Sequence, residues 1–149
     1  MAKSNELILK FAAQKKLMVL YLVAALIIIL LFVLTAWQRT AKSNFGESLQ
    51  WVFNYLGPGL TLIIGAFAYT ASQPPVDPPK YIHKTYFRIT FYFALVYLLS
   101  ITTIIAITSV AIDETETLNE YFKKFDLLLT FFQTSFLVLL SIFFARENH

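Results

Sequence analysis

Four long intervals of this 149-residue chain contain no charged residue: 17–38, 48–76, 89–112 and 127–145. Each holds the roughly 18 or more largely apolar residues that a helix needs to cross the hydrocarbon core of a membrane. Only 14% of all residues are charged, whereas about 25% is typical of a globular domain. Because so few charges cannot cover a water-soluble surface, the sequence predicts an all-α fold, an integral membrane bundle of four helices.

The predicted organisation is a single membrane domain over 17–149, preceded by a short helix over 1–16. The four spans are expected at about 17–37, 49–71, 86–112 and 126–145. In the N-terminal segment, Leu7, Ile8 and Phe11 fall on one side of a helix and Lys3, Lys10 and Gln14 on the other. An amphipathic helix of this kind lies in the membrane interface, although it can also act as a sensor or bind a partner.

The basic residues predict how the chain is oriented. If the spans alternate, eight Lys and Arg residues lie on the side of the termini and four on the opposite side. Cytoplasmic loops carry an excess of Lys and Arg, so both termini are expected in the cytoplasm and the chain in a cell membrane, most simply the bacterial inner membrane. The basic residues form no extended patch, and we expect no nucleic-acid partner.

The second span contains the triplet Gly57-Pro58-Gly59, which in a soluble protein would indicate a turn. A turn here would leave 60–72 to cross the bilayer, about 20 Å of helix against a hydrocarbon core of about 30 Å. A continuous helix over about 49–71 is long enough. We therefore expect the helix to pass through the triplet with a kink or local unwinding at Pro58.

The same span predicts a face for close helix packing. Gly57, Thr61 and Gly65 are spaced four residues apart, and small residues at this spacing allow another helix to approach closely. The alternative is a discontinuous helix whose freed carbonyls bind an ion or a substrate.

The connection between the second and third spans is rich in proline: Pro74, Pro75, Pro78 and Pro79. Such a segment forms a stiff, extended strap that joins neither a helix nor a sheet. Its expected role is to space the two spans, and the alternative is to bind a cytoplasmic partner through a loose P-x-x-P pattern.

The fourth span has polar residues on one helical face: Asp126, Thr130, Gln133, Thr134 and Ser141. This face must point into protein or water, while the opposite, aromatic face belongs in lipid or against apolar neighbours. The first span, in contrast, is uniformly aliphatic and is expected to face lipid without a functional role. Trp37 and Trp51 flank one loop, where indole rings are expected to anchor the membrane interface.

The residues that enzymes and metal sites need are missing from the sequence. The chain has no cysteine, and its two histidines, His83 and His149, have no carboxylate or second histidine at ligand spacing. The acidic outer loop at 113–126 lacks the ligand spacing and the turn glycine of an EF-hand. We therefore expect no enzymatic activity, no metal and no cofactor.

Two functions from different classes fit these features. The first is a homo-oligomeric channel-like protein or membrane-perturbing effector, in which the fourth span lines a polar path. The alternative is a non-conducting sensor, scaffold or accessory subunit with a cytoplasmic or membrane protein partner. Transport of a small neutral solute is a third interpretation. Small bacterial membrane proteins of this kind often act in stress or phage-defence (antiviral) systems. This expectation is general, and no particular residue of the chain supports it.

Overall fold

The long apolar segments of the chain form helices. The computed structural model describes residues 7–38, 45–72, 81–111 and 117–145. In chain order the elements are β1 (Leu7–Leu9), α1 (Lys10–Gln38), α2 (Phe45–Ser72), β2 (Tyr81–His83), α3 (Lys84–Ala111), α4 (Leu118–Lys123) and α5 (Asp126–Ala145). Four helices, α1, α2, α3 and α5, are long and apolar enough to cross a membrane. The all-α fold class and the presence of four helices of spanning length are confirmed.

The four long helices pack so that α1 and α5 each contact both α2 and α3. Each helix contributes a buried stripe at a spacing of three or four residues, as a 3.6-residue repeat requires. On α1 this stripe includes Leu17, Tyr21, Ile28 and Phe32. The ends of α1 and α5 meet, because the Lys10 ammonium donates a hydrogen bond of 2.9 Å to the main-chain oxygen of Phe144. The start of α1 and the end of α5 therefore lie at the same end of the bundle.

The predicted separate helix over 1–16 is wrong for the part of it that the structure describes. Leu7–Leu9 is a strand that pairs antiparallel with Tyr81–His83. Helix α1 begins directly afterwards at Lys10 and continues to Gln38 without a break. Over three residues an alternating pattern cannot be distinguished from a helical one by sequence, and the partner strand decides between them.

The helix that contains the Gly-Pro-Gly triplet is continuous, as the length argument predicted, because α2 extends from Phe45 to Ser72 with Pro58 inside it. The bounds of α2, α3 and α5 agree with the predicted spans to within four residues. Helix α1 instead starts seven residues earlier than the predicted residue 17. The proline strap, with Pro74, Pro75, Pro78 and Pro79, lies outside the described residues, and its role stays a prediction.

Candidate functional site

The turn of α2 that precedes Pro58 receives a side chain from α5. Proline has no amide hydrogen, so Pro58 leaves the main-chain oxygen of Asn54, four residues earlier, without its helical donor. The Gln133 side-chain amide donates to this oxygen over 2.8 Å. A proline is tolerated in a membrane helix when a neighbouring helix satisfies the freed carbonyl in this way.

The next carbonyl of α2 receives a donor from α3. The Tyr97 hydroxyl donates a hydrogen bond of 2.7 Å to the main-chain oxygen of Tyr55, in a fully buried position. The Tyr97 ring stacks on Phe136 of α5, with 5.6 Å between the ring centroids. Side chains from two neighbouring helices therefore fix the turn of α2 that precedes Pro58.

A carboxylate joins the first half of α2 to the start of α5. One oxygen of Asp126 accepts hydrogen bonds from the Trp51 indole, at 2.6 Å, and from the Tyr55 hydroxyl, at 3.0 Å. The Tyr55 hydroxyl also lies 3.4 Å from the hydroxyl of Thr130. Charge-assisted hydrogen bonds of this kind are stronger than neutral ones. We call Trp51, Tyr55, Tyr97, Asp126 and Gln133 the Pro58 cluster.

Trp51 does not act as an exposed interface anchor, contrary to the expectation for both tryptophans. Its side chain is only 5% exposed, and it stacks on Phe122 of α4 with 4.4 Å between ring centroids. Trp37 is 77% exposed, as an anchor would be. The sequence position of Trp51 alone could not distinguish it from an anchor, because Asp126, which accepts its hydrogen bond, is 75 residues away in the chain.

Gly59 allows α1 to approach α2 closely at Tyr21. A Cβ atom at Gly59 would lie 2.6 Å from the Tyr21 Cζ atom, closer than van der Waals contact permits. The Tyr21 ring is fully buried and stacks on Phe136 with centroids 5.6 Å apart. Its hydroxyl finds no hydrogen-bond partner among the described residues. We expected α1 to contribute only a lipid-facing surface, and the role of Tyr21 was therefore missed. The signal in the sequence was its hydroxyl within an otherwise aliphatic span.

The structure separates the predicted polar face of α5 into two groups. Asp126 and Gln133 are half-buried against α2, and Thr130 reaches Tyr55. Thr134 and Ser141 are exposed, and their hydroxyls donate to main-chain oxygens of their own helix, each over 2.8 Å. The aromatic face of α5 packs inside the bundle, since Phe136 and Phe143 are fully buried.

The predicted packing face of α2 is not used within the described chain. A Cβ atom at Gly57 or Gly65 would meet no other atom within 4 Å, and Thr61 between them is exposed. The close approach occurs at Gly59, on the other side of the helix. A four-residue spacing shows which residues share a face, but it does not show which face turns towards the bundle.

One stripe on the outward surface of α2 and α5 differs in character from the outward surface of α1, although both helices expose large apolar side chains elsewhere, such as Ile64 and Phe131. Small or polar residues run along the outside of α2, and all are exposed apart from the half-buried Gly57: Gln50, Asn54, Gly57, Thr61, Gly65, Ala68 and Ser72. Beside them α5 exposes Thr130, Thr134 and Ser141. These ten residues form what we call the α2–α5 face. The outside of α1 instead exposes large aliphatic residues: Val19, Val23, Leu26, Ile27, Leu30, Val33 and Leu34.

The fold supports one broad class of protein for this chain. Four candidate membrane spans indicate a multi-pass membrane protein. In the described ranges no three His, Asp or Glu side chains gather as they would to hold a metal ion. No protein family, curated protein or solved structure matches this chain.

Proposed function

We propose that the chain is a non-enzymatic, homo-oligomeric membrane protein of the channel-like or membrane-perturbing class, in which the α2–α5 face turns towards other copies. The observation that carries this proposal is the contrast between that face and the aliphatic outside of α1. Polar side chains on a lipid-facing surface are costly, and they are normally turned towards protein or a water-filled cavity. Small residues also allow helices of different copies to approach closely.

The path in this proposal is lined by two helices rather than by α5 alone. Asp126 and Gln133, which the sequence pattern assigns to the path, are engaged with α2 inside one copy. The remaining polar groups are neutral: the hydroxyls of α5 and, on α2, the amides of Gln50 and Asn54 and the hydroxyls of Thr61 and Ser72. Neutral polar groups separated by apolar constrictions can conduct and gate without fixed charges.

Reconstitution tests this function directly. The purified chain is placed in liposomes loaded with ions and a small dye, and its oligomeric state is measured in mild detergent. We expect a defined homo-oligomer and measurable release. Replacing Thr61 and Gly65 with leucine should dissociate the oligomer and abolish release, because two bulky side chains then occupy the face. The matched control, Val23→Leu on the outside of α1, should change neither; a monomeric wild type without release would refute the proposal.

The hydrogen bonds within α5 favour one second candidate, a non-conducting sensor, scaffold or accessory subunit. The exposed hydroxyls of Thr134 and Ser141 already donate to their own helix, which leaves the face only weakly polar. Such a face suits helix packing as well as it suits a water-filled path. A stable complex without ion or dye release, or a monomer that co-purifies with another membrane protein of its host, would favour this candidate.

The proposed location is a cell membrane, the bacterial inner membrane in the simplest case, with both termini in the cytoplasm. The contact between Lys10 and Phe144 supports termini on the same side, as an even number of spans requires. Because the chain contains no cysteine, single-cysteine variants can be labelled without a background signal. Cysteines introduced near either terminus should not be labelled by a membrane-impermeant thiol reagent in intact cells. Labelling of both would show that the orientation is opposite to the proposed one.

A further inference from the structure

The small sheet at one end of the bundle has a largely apolar outer face. Strand pairing places Ile8 opposite Ile82 and Leu9 opposite Tyr81. Side chains alternate between the two faces of a sheet, and Ile82 is 1% exposed on the face that covers the bundle. On the outer face Leu7, Leu9 and Tyr81 are 43%, 46% and 42% exposed. Three large apolar side chains thus lie on the outer surface of β1 and β2, where the exposed His83 is paired opposite Leu7.

Basic side chains lie at the same end of the bundle as this apolar surface. Helices α1 and α3 follow β1 and β2 directly and pack against each other. Their first two turns expose Lys15, Lys16, Lys84 and Arg88. The acidic residues among the described ones are Glu47, Glu120 and Asp126, which lie in the first turns of α2, α4 and α5, away from the β1–β2 end. In the part of the chain that the structure describes, this end therefore carries basic residues without acidic ones.

We propose that this end of the bundle binds anionic phospholipids. The outer face of the sheet contacts the boundary between headgroups and acyl chains, and the four exposed basic side chains contact the lipid phosphates. A sheet with open edges cannot lie within the hydrocarbon core, because its unpaired main-chain groups need water, so it lies in the headgroup layer. The basic side chains extend from the helices into the same layer and are attracted by negative surface charge.

The dimensions of the bundle and of the bilayer agree with this position. Lys16 follows the first residue of α1 by six positions, which corresponds to about 9 Å along the helix axis. The headgroup layer on each side of a bilayer is about 5–8 Å thick, and a lysine side chain reaches several ångströms further. The apolar outer face identifies the occupant as a lipid, since a free phosphate ion would leave Leu7 and Leu9 exposed to water.

Native mass spectrometry of the full chain in detergent tests this inference. The protein is titrated with phosphatidylglycerol and, separately, with phosphatidylcholine. We expect a preference for phosphatidylglycerol that weakens as ionic strength rises, because salt screens exposed charges. The variant K15Q/K16Q/K84Q/R88Q should bind phosphatidylglycerol at least about tenfold more weakly. The matched control K123Q/K124Q changes charges of α4 and the residue after it, outside this patch, and should bind like the wild type.

Two further measurements distinguish binding of a whole lipid from binding of a phosphate group alone. Leu7→Gln with Leu9→Gln should weaken binding of both lipids, because it removes the apolar contact and leaves the charges in place. Inorganic phosphate at the same concentration should not displace phosphatidylglycerol. Equal binding of the two lipids by the wild type, binding that is insensitive to salt, or displacement by inorganic phosphate would each overturn the proposal.

Discussion

Gln133 of α5 donates its hydrogen bond to the carbonyl that Pro58 of α2 deprives of a donor. The accepting oxygen belongs to Asn54, and its distance from the glutamine nitrogen is 2.8 Å. A proline that frees a carbonyl and a glutamine that satisfies it act as a unit, although they are 75 residues apart in the sequence. The amide side chain in the middle of α5 therefore has a structural partner within the same chain.

Replacing Gln133 with leucine should destabilise the bundle, because the Asn54 carbonyl then has no donor. We expect the free energy of unfolding to fall by about 0.5–1.5 kcal/mol, the range for a lost neutral hydrogen bond. Unfolding in mixed micelles of mild detergent and dodecyl sulfate measures the change. Thr134→Val is the matched control, because that exposed hydroxyl bonds only within its own helix, and it should have little effect.

A double-mutant cycle separates this partnership from a general loss of packing. Pro58→Ala restores an amide to α2 that can donate to the Asn54 carbonyl. In the Pro58→Ala background, Gln133→Leu should therefore cost less than in the wild type, with a coupling energy of about 1 kcal/mol. Additive effects of the two substitutions would show that Gln133 does not act through the carbonyl freed by Pro58.

Part of this cluster could be predicted from the sequence. The length of the span required α2 to pass through Pro58, and helical periodicity placed Asp126 and Gln133 on one face of α5. The periodicity of one helix, however, contains no information about which neighbour that face meets. The contacts with Trp51 and Asn54 depend on how α2 and α5 are rotated about their axes, which only packing of the whole bundle decides.

Gly59→Ala should be the most damaging of the glycine substitutions in α2. Its methyl group would overlap the buried Tyr21 ring, so one helix must shift away from the other. We expect a loss of about 1–3 kcal/mol in the free energy of unfolding, the range for overpacking in a well-packed core. Gly57→Ala and Gly65→Ala serve as controls, because nothing within 4 Å would meet their methyl groups; equal losses at all three positions would contradict the proposed close approach.

Removing the Asp126 carboxylate should loosen the start of α5 from α2. Asp126→Ala leaves the Trp51 indole and the Tyr55 hydroxyl without their acceptor, at a cost of about 1.5–3 kcal/mol for hydrogen bonds to a charged group. Asp126→Asn retains an oxygen acceptor and should cost less. In a Trp37→Phe background Trp51 is the single tryptophan, and its emission should shift to longer wavelength in Asp126→Ala as water reaches it.

The N-terminal region shows where sequence periodicity fails. Leu7, Ile8 and Phe11 fit one side of a helix, yet Ile8 turns towards the bundle from a strand whose partner begins at Tyr81. A pairing over more than 70 residues leaves no local signal in either segment. Tyr21 was missed for a different reason, because hydropathy averages over a span and conceals one hydroxyl among aliphatic side chains.

The start of α4 provides a prediction about pH. The Thr117 main-chain amide donates to the Glu120 carboxylate over 2.9 Å, and the Thr117 hydroxyl accepts from the Glu120 amide, which together form a capping box. The Thr117 hydroxyl also donates to the Glu120 carboxylate over 2.9 Å. The two hydrogen bonds that Thr117 donates to this carboxylate, first from its main-chain amide and then from its hydroxyl, lower the pKa of Glu120 below its ordinary value of 4.5, with smaller contributions from Lys123 and Lys124. A carboxyl group with a lowered pKa stabilises the folded state above its unfolded pKa, and this contribution is lost as pH falls through the lowered value.

Hydrogen exchange of the α4 amides, corrected for the intrinsic effect of pH, measures this loss. Protection of the Glu120 and Tyr121 amides should decrease in the wild type as pH falls from about 6 to about 3, the range that covers titration of a glutamate. Glu120→Gln keeps the geometry of a capping box without the charge, so its protection should be lower at neutral pH and nearly independent of pH. If the variant kept the pH dependence of the wild type, another group would control the stability of α4.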